Sequence, residues 1–348
     1  MPSFSNQLQP APLHGGFYEE DHWIWCGSVI RGEDDLYHMF ASRWSKEVPF
    51  TPNWLTHSQI VHAVSSTPEG PYRFVEEILT PRGPDFWDGC ATHNPTIHKV
   101  GKRYVLFYTG ISYRGGLGPE GQVSEEVRVE ARGSQRIGFA TALSPHGPWT
   151  RSDSPCLDTR PGHWDAFMTT NPAPCVLPDG QILLLYKSTH SNKGPIQYGV
   201  AKAESIHAPF ERLGEDAPIT LLEEGLSYED AYIWYQDGGF HMIFNDLTGK
   251  ITGEDHAGAH AVSADGVRWD LAPDPKAYSR KVRWEDGTES VQGSFERPQL
   301  LIENGIPTHL FAATADGPGG FSRASHTWNM VIPLRKRERE VKQTTSQK

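Results

Sequence analysis

The sequence predicts an all-β chain folded as a five-bladed β-propeller, and three observations predict it. Short apolar stretches alternate with Gly/Pro/Asp turns along the chain, with 34 Gly, 27 Pro and hardly any helical periodicity in 348 residues. One apolar strand type recurs five times, at intervals of roughly 50 to 75 residues. Each copy follows a turn signal and another apolar strand, and most are followed by a third strand that closes on an aromatic. A meander of three or four strands cannot bury both faces alone, whereas five packed radially bury all of them and leave only short edges. Two packed β-sandwiches would account for the strands but not for their in-phase repetition.

The copies follow in order. The first reads CGSVIR from Cys26, the turn Glu33-Asp34, DLYHMFAS from Asp35 and VHAVSSTPEGPYRF from Val61. The second reads NPTIHKV from Asn94, KRYVLFYTG from Lys102 and IGFATALSPHGPWT from Ile137. The third has NPAPCVL from Asn171, QILLLYKS from Gln181 and YGVAKAESIHAPFERL from Tyr198. The fourth has EDAYIWY from Glu229, GFHMIFND from Gly239 and AHAVSADGVRWDL from Ala259. The fifth has ERPQLLI from Glu296, PTHLFAAT from Pro307 and the closing WNMVIPL from Trp328. A single domain over 15–334 results, with an N-terminal segment over 1–14. A polar tail over 335–348, where Arg335-Lys336-Arg337 is interleaved with Glu338 and Glu340, is expected to be solvated. Ile111 to Gln135 is a long insertion in the second copy, the kind of loop that forms lids or subunit contacts.

Composition excludes several function classes. Lys plus Arg number 32 against 43 Asp plus Glu, a net charge of −11, the wrong balance for tracking a nucleic-acid backbone. Mean hydropathy is −0.52, and apolar runs such as Ile182 to Leu185 fall far short of the ~20 residues of a membrane-spanning helix. The start, MPSFSNQLQP, lacks the basic-then-apolar pattern of a signal peptide, so the chain reads as cytoplasmic. Cys26, Cys90, Cys156 and Cys175 form no CxxC pair, which argues against a cysteine metal site and for a reducing compartment. Gly115, Gly116, Gly118 and Gly121 do not lead from a strand into a helix, so no phosphate loop is indicated. No cofactor is expected, although His93, His163, His256 and His260 are read as within reach of the channel, where a structural ion could sit.

In a propeller the first strand of each blade lines the axial channel, and side chains at its leading end converge. Trp87-Asp88 lies six residues before Asn94-Pro95, and Trp164-Asp165 six before Asn171-Pro172. Asp21 lies six before Gly27, next to Trp23 and Trp25. Glu229-Asp230 and Glu296-Arg297 open the fourth and fifth copies. Every blade thus brings a carboxylate to one end of the channel. An Asp before a strand also serves as an Asx-turn or cap, so Asp88 fits either role. Asn94 and Asn171 fit backbone bonding as well as substrate contact, and Arg297 an internal ion pair as well as a clamp. Glu229 is a poor turn residue set beside Asp230 and two tyrosines. Paired carboxylates in such a setting push their pKa values apart, as acid/base work requires. Trp23 and Trp164 would stack on a sugar ring, or serve as core. The chemistry suggested is glycoside hydrolysis, one carboxyl protonating the leaving oxygen while another drives the attack.

The outer-strand phrases ATALSPHGPW from Ala140 and AVSADGVRW from Ala261, with the five strand pairs, resemble the five-bladed propeller glycosidases. These are glycoside hydrolase family 43 and its relatives in families 32, 62, 117 and 130, of which this chain would be a divergent member. The resemblance implies an exo-acting, inverting hydrolase of oligosaccharides. It implies an Asp base in the first blade, an Asp in a middle blade that tunes, and a Glu acid further on. The family's Asp-Pro position falls near Gly27, and its middle-blade Asp at Asn171. The nearest carboxylates are Asp21 as base and Asp165 as tuner, with Glu229 as acid. Glu296, Arg297 and Asp88 would hold substrate hydroxyls, with His93 and Asp230 beside them. Two rivals on the same fold are a glycoside phosphorylase, which needs a basic cluster for phosphate, and a non-catalytic glycan binder. Oligomeric state is not set by the sequence.

Overall fold

The computed structural model describes residues 3–214, 217–219 and 226–335, and it forms five blades around an axis. Blade one comprises β1 (His22–Arg31), β2 (Tyr37–Ser45), β3 (Gln59–Ser65) and β4 (Arg73–Glu77). Blade two comprises β5 (Ala91–Val100), β6 (Arg103–Ile111), β7 (Arg136–Ala142) and β8 (Thr150–Arg151). Blade three comprises β9 (Met168–Val176), β10 (Ile182–Thr189), β11 (Gln197–Ala203) and β12 (Glu211–Leu213). Blade four comprises β13 (Tyr228–Gln236), β14 (Gly239–Asp246), β15 (Ala257–Ser263) and β16 (Asp270–Tyr278). A hairpin of β17 (Lys281–Arg283) and β18 (Glu289–Val291) leads to blade five, β19 (Ser294–Glu303), β20 (Ile306–Ala315) and β21 (Thr327–Pro333). Each blade is an antiparallel meander in chain order, innermost strand first.

Apolar clusters fill the seams between blades. Leu185 and Val200 meet Ala231 and Met242 between blades three and four, Trp234 and Ile243 meet Leu310 and Met330 between four and five, and Met39 and Val61 meet Phe311 between five and one. Phe40 and Ile60 face Leu106 and Tyr108 between one and two. Ile137 faces Leu184 and Tyr186 between two and three. Burying both faces of every blade in this way is what makes the ring stable.

The ends of the chain differ from the sequence expectation. The N-terminal segment is not an appendage, because it supplies the missing outer strand of blade five. Phe17 and Asn329 exchange backbone hydrogen bonds of 3.0 and 2.9 Å, Gln9 N donates to Pro333 O, and Arg335 N donates to Gln7 O. Phe4 and Ala11 are buried in the seam between blades four and five. The ring is thereby closed by the two ends of the chain, and the blade-five edge is covered. Residues 336–348 of the expected polar tail lie outside the described residues. Among the described residues no helix is long and apolar enough to cross a membrane.

Two short helices stand over one end of the channel. Helix α1 (Phe50–His57) joins β2 to β3, and α2 (Glu125–Gly133) lies in the long insertion of blade two, its N-cap Ser124 accepting from Val127 N. Helix α1 packs on α2, on β5 and on the 3-10 turn Phe321–Arg323 of blade five.

Candidate active site

Each innermost strand breaks its register with the second strand at the same depth in the channel, and β19 does so a second time between Leu301 and Ile302. At each of the equivalent breaks one residue takes a left-handed backbone: Cys26 (φ 53°), Asn94 (53°), Asn171 (52°), Asp230 (60°) and Arg297 (52°). Asn and Asp tolerate this region best, and a following proline (Pro95, Pro172, Pro298) needs no ladder partner at a bulge. The side chains form a circuit around the axis. Cys26 Sγ donates to Asn94 Oδ1 at 2.8 Å, and Asn94 Nδ2 to Asn171 Oδ1 at 2.6 Å. Asn171 Nδ2 and Arg297 Nη1 both donate to Asp230 Oδ1, at 2.9 and 3.4 Å, and the charge of the Arg297 guanidinium acts on Cys26 across the remaining gap. Cys26, not Gly27, is thus the first-blade counterpart of Asn94 and Asn171. The bonding alternative for both asparagines is the one realised, though between side chains rather than to backbone.

One residue before this circuit stand Trp25, His93, Thr170, Glu229 and Glu296, which form the next layer toward the helices. Glu229 makes an ion pair with Lys187 Nζ from β10, and about a third of its side chain (32%) remains accessible. Burial alone would raise its pKa, but Lys187, with Arg297 and Arg132 behind it, outweighs that and holds the carboxyl below its ordinary range. Glu296 is half-buried, and burial, reinforced by the charges of Asp230 and Glu229, pushes it up to about 8. Asp230 is likewise raised, by burial against the pull of Arg297. The two glutamates therefore rest in opposite protonation states at neutral pH. His93, pushed down to about 3 by burial and then by Arg297 and Lys187, is neutral; its Nδ1 bonds Ser58 Oγ at 2.8 Å. Trp54 of α1, half-buried, lies with its ring centroid 5.0 Å from that of His93.

Three expected carboxylates do not join this group. Asp165 is fully buried in the wall of blade three, bound by Arg160 Nε at 2.9 Å, Arg212 Nε at 2.8 Å and Tyr186 Oη at 3.1 Å. Asp88 is fully buried in the same cluster of blade two, bound by Arg82 Nε at 2.7 Å and Tyr108 Oη at 2.6 Å, with Arg151 at 3.5 Å. Trp164 and Trp87 stack on those tyrosines, so Trp164 is part of the blade wall rather than a sugar platform. The repeated Trp-Asp spacing marks a repeated internal ion cluster. Asp21 is exposed in the turn before β1, five residues ahead of Cys26, or roughly 16 Å of extended strand. Trp23 is core: its Nε1 donates to Val48 O at 2.9 Å and its ring packs edge-on against Phe50. His260 pairs with His241 between β14 and β15, away from the channel, and His163 is exposed.

Sequence reasoning missed Lys187, Arg132 and Trp54. The signal for Lys187 was present, a lysine inside the otherwise apolar QILLLYKS. The far end of the channel opens on a cavity of about 400 Å³ lined by apolar strand ends such as Val29, Ile97, Val176 and Leu301. Charged chemistry is gathered at the end under the helices.

No protein-family model matches the chain, and no curated protein sequence does. Solved structures do match along nearly its whole length. A family 117 glycoside hydrolase of the marine bacterium Zobellia galactanivorans superposes with a TM-score of 0.63 at 16% identity, covering 94% of this chain and 90% of that one. A thermostable family 43 glycoside hydrolase gives 0.61 at 12% identity, with coverage of 91% and 94%. An α-L-arabinofuranosidase from Lactobacillus brevis gives 0.57 at 12% identity, with coverage of 97% and 95%. The chain has the five-bladed propeller fold of these glycoside hydrolases, as the strand repeat predicts.

Proposed function

We propose that the protein is a glycoside hydrolase whose working carboxylates are Glu229 and Glu296. The observation that carries this reading is the pair of partly accessible glutamates at one channel mouth, one held ionised by Lys187 and the other held protonated by burial. Glu296 donates its proton to the glycosidic oxygen as that bond breaks. Glu229 accepts a proton from the water that attacks the anomeric carbon on the opposite face, which inverts configuration. The family resemblance gave the acid role to Glu229, and its ion pair with Lys187 favours the base role instead. Trp54 offers an aromatic face for the sugar beside neutral His93. Helices α1 and α2, packed on each other over the mouth, suit a one-ended pocket and release of a terminal sugar.

The test is incubation of the purified chain with a panel of aryl-glycosides and oligosaccharides, with and without phosphate, the first-formed anomer being followed by NMR. The proposal expects phosphate-independent release of a monosaccharide with inverted configuration. Lys187, Arg132 and Arg297 near the mouth supply the cations that a glycoside phosphorylase would need, so release that requires phosphate would transfer the reading to that class. Saturable sugar binding with no release would make the chain a glycan-binding propeller.

A further inference from the structure

A second constellation of reactive side chains lies away from the channel, at the outer seam between blades one and two. His38 on β2, His62 on β3 and His146 in the turn between β7 and β8 each bring one ring nitrogen within 4.8 Å of the others. His38 Nδ1 and His62 Nε2 are 2.9 Å apart. Asp34, in the turn between β1 and β2, lies 3.0 Å from His38 Nε2 and 3.0 Å from His146 Nε2.

We propose that His38 Nδ1, His62 Nε2 and a ring nitrogen of His146 are the ligands of a divalent transition-metal ion, with Zn²⁺ the best match, which ties blade one to blade two. Three imidazoles with one open position are a donor set that suits Zn²⁺ in tetrahedral coordination.

Proton bookkeeping in the metal-free cluster points the same way. Asp34 accepts from His38 Nε2–H, so His38 Nδ1 must accept from His62 Nε2–H. That leaves the buried His62 Nδ1 as a bare lone pair, without a hydrogen-bond partner and facing the Glu76 carboxylate at 4.0 Å. A buried ring nitrogen with no donor beside it is an arrangement the fold has no reason to keep. A metal between His38 Nδ1 and His62 Nε2 replaces the shared proton and turns His62 Nδ1 into an N–H donor aimed at Glu76. Asp34 and Glu76 then hold the far nitrogens of the ligating rings, the usual outer carboxylates of histidine metal sites. Gly32 adds room: a Cβ there would collide with Asp34 Oδ1 and His38 Nε2. An open cleft of about 580 Å³, lined by Asp34, Lys99 and His146, supplies the path in.

Blade four provides an internal control. His241 Nδ1 and His260 Nε2 repeat the diagonal pair at 3.1 Å with Trp234 stacked on both rings, but the blade-one trio is the one group of three such ligands among the described residues.

The experiment uses the full, tag-free chain after chelator treatment, with Zn²⁺ measured by equilibrium dialysis and Co²⁺ by visible absorption. The expected result is one equivalent of Zn²⁺, the visible band of tetrahedral Co²⁺, and a higher Tm when Zn²⁺ is added. His146→Ala, at a half-exposed position that tolerates truncation, should abolish all three, while His241→Ala should bind as the wild type does. His62→Ala, which removes a buried ligand, should likewise lose the metal. Absence of saturable uptake, or uptake that His146→Ala leaves intact, overturns the proposal. His146→Ala is the decisive variant, because it keeps the core whole.

Discussion

Glu296→Gln replaces a carboxyl that the fold keeps protonated with a neutral side chain of nearly the same shape. Burial, with Asp230 and Glu229 close by, moves Glu296 from an ordinary 4.5 to about 8. Below the ordinary value the group is protonated in both folded and unfolded chains, and its contribution is fully present. As pH rises through that value the unfolded chain releases the proton while the folded chain keeps it, so folding becomes steadily less favourable until about pH 8. Three and a half pH units at 1.36 kcal/mol each give on the order of 5 kcal/mol lost across this window. The variant has no proton to release, so its stability should lack this component of the decline. The assay is urea unfolding of both proteins from about pH 5 to about pH 8, with equal m-values confirming a common unfolding reaction. The gap between variant and wild type should widen by several kcal/mol in favour of the variant. Stability curves that run parallel would refute the protonated Glu296 and, with it, the acid role.

Other predictions address the remaining groups. Lys187→Met should raise the pKa of Glu229 and move the acidic limb of the kcat/KM–pH profile to higher pH; an unmoved limb would mean Glu229 is not the ionised base. Asp165→Asn breaks a buried cluster and should cost about 3–5 kcal/mol of stability, yet leave kcat of the folded fraction near wild type in a standard turnover assay. Cys26→Ala leaves Asn94 Oδ1 without its donor in the axial circuit and should cost about 1–3 kcal/mol by thermal unfolding, whereas Cys26→Ser keeps a donor there and should restore most of it.

The fold was legible because each blade repeats one strand and turn pattern, so a local signal was read five times over. The circuit was half legible. Asn94-Pro95, Asn171-Pro172 and Arg297-Pro298 announce bulges through a proline in an inner strand, but blade one has Gly27 in place of proline, and the register slipped there by one residue. Asp88 and Asp165 were misread because spacing reports equivalence between blades, not which way an equivalent side chain points. Arg82 and Arg160 precede them by six and five residues in the same loops, a repeated local signal of the ion clusters, whereas Arg212 comes from the outer strand β12. Lys187 pairs with Glu229 from a second strand and Arg132 adds its charge from an insertion, proximities that only the assembled ring creates. Closure by the N-terminal segment was hidden for the same reason, since Phe17 pairs with Asn329 at the other end of the chain.

The division of labour between the two glutamates is tested most directly by how turnover depends on the leaving group. A proton donor matters for a poor leaving group and hardly at all for an acidic phenol, whereas the base that activates water matters for both. Measured as kcat/KM, Glu296→Gln should fall by about 10³-fold on an unactivated oligosaccharide, at the middle of the range for acid/base groups, and stay close to wild type on a nitrophenyl glycoside of the same sugar. Glu229→Gln should fall on both substrates. Equal losses for Glu296→Gln on the two substrates, or wild-type turnover by Glu229→Gln, would contradict the account.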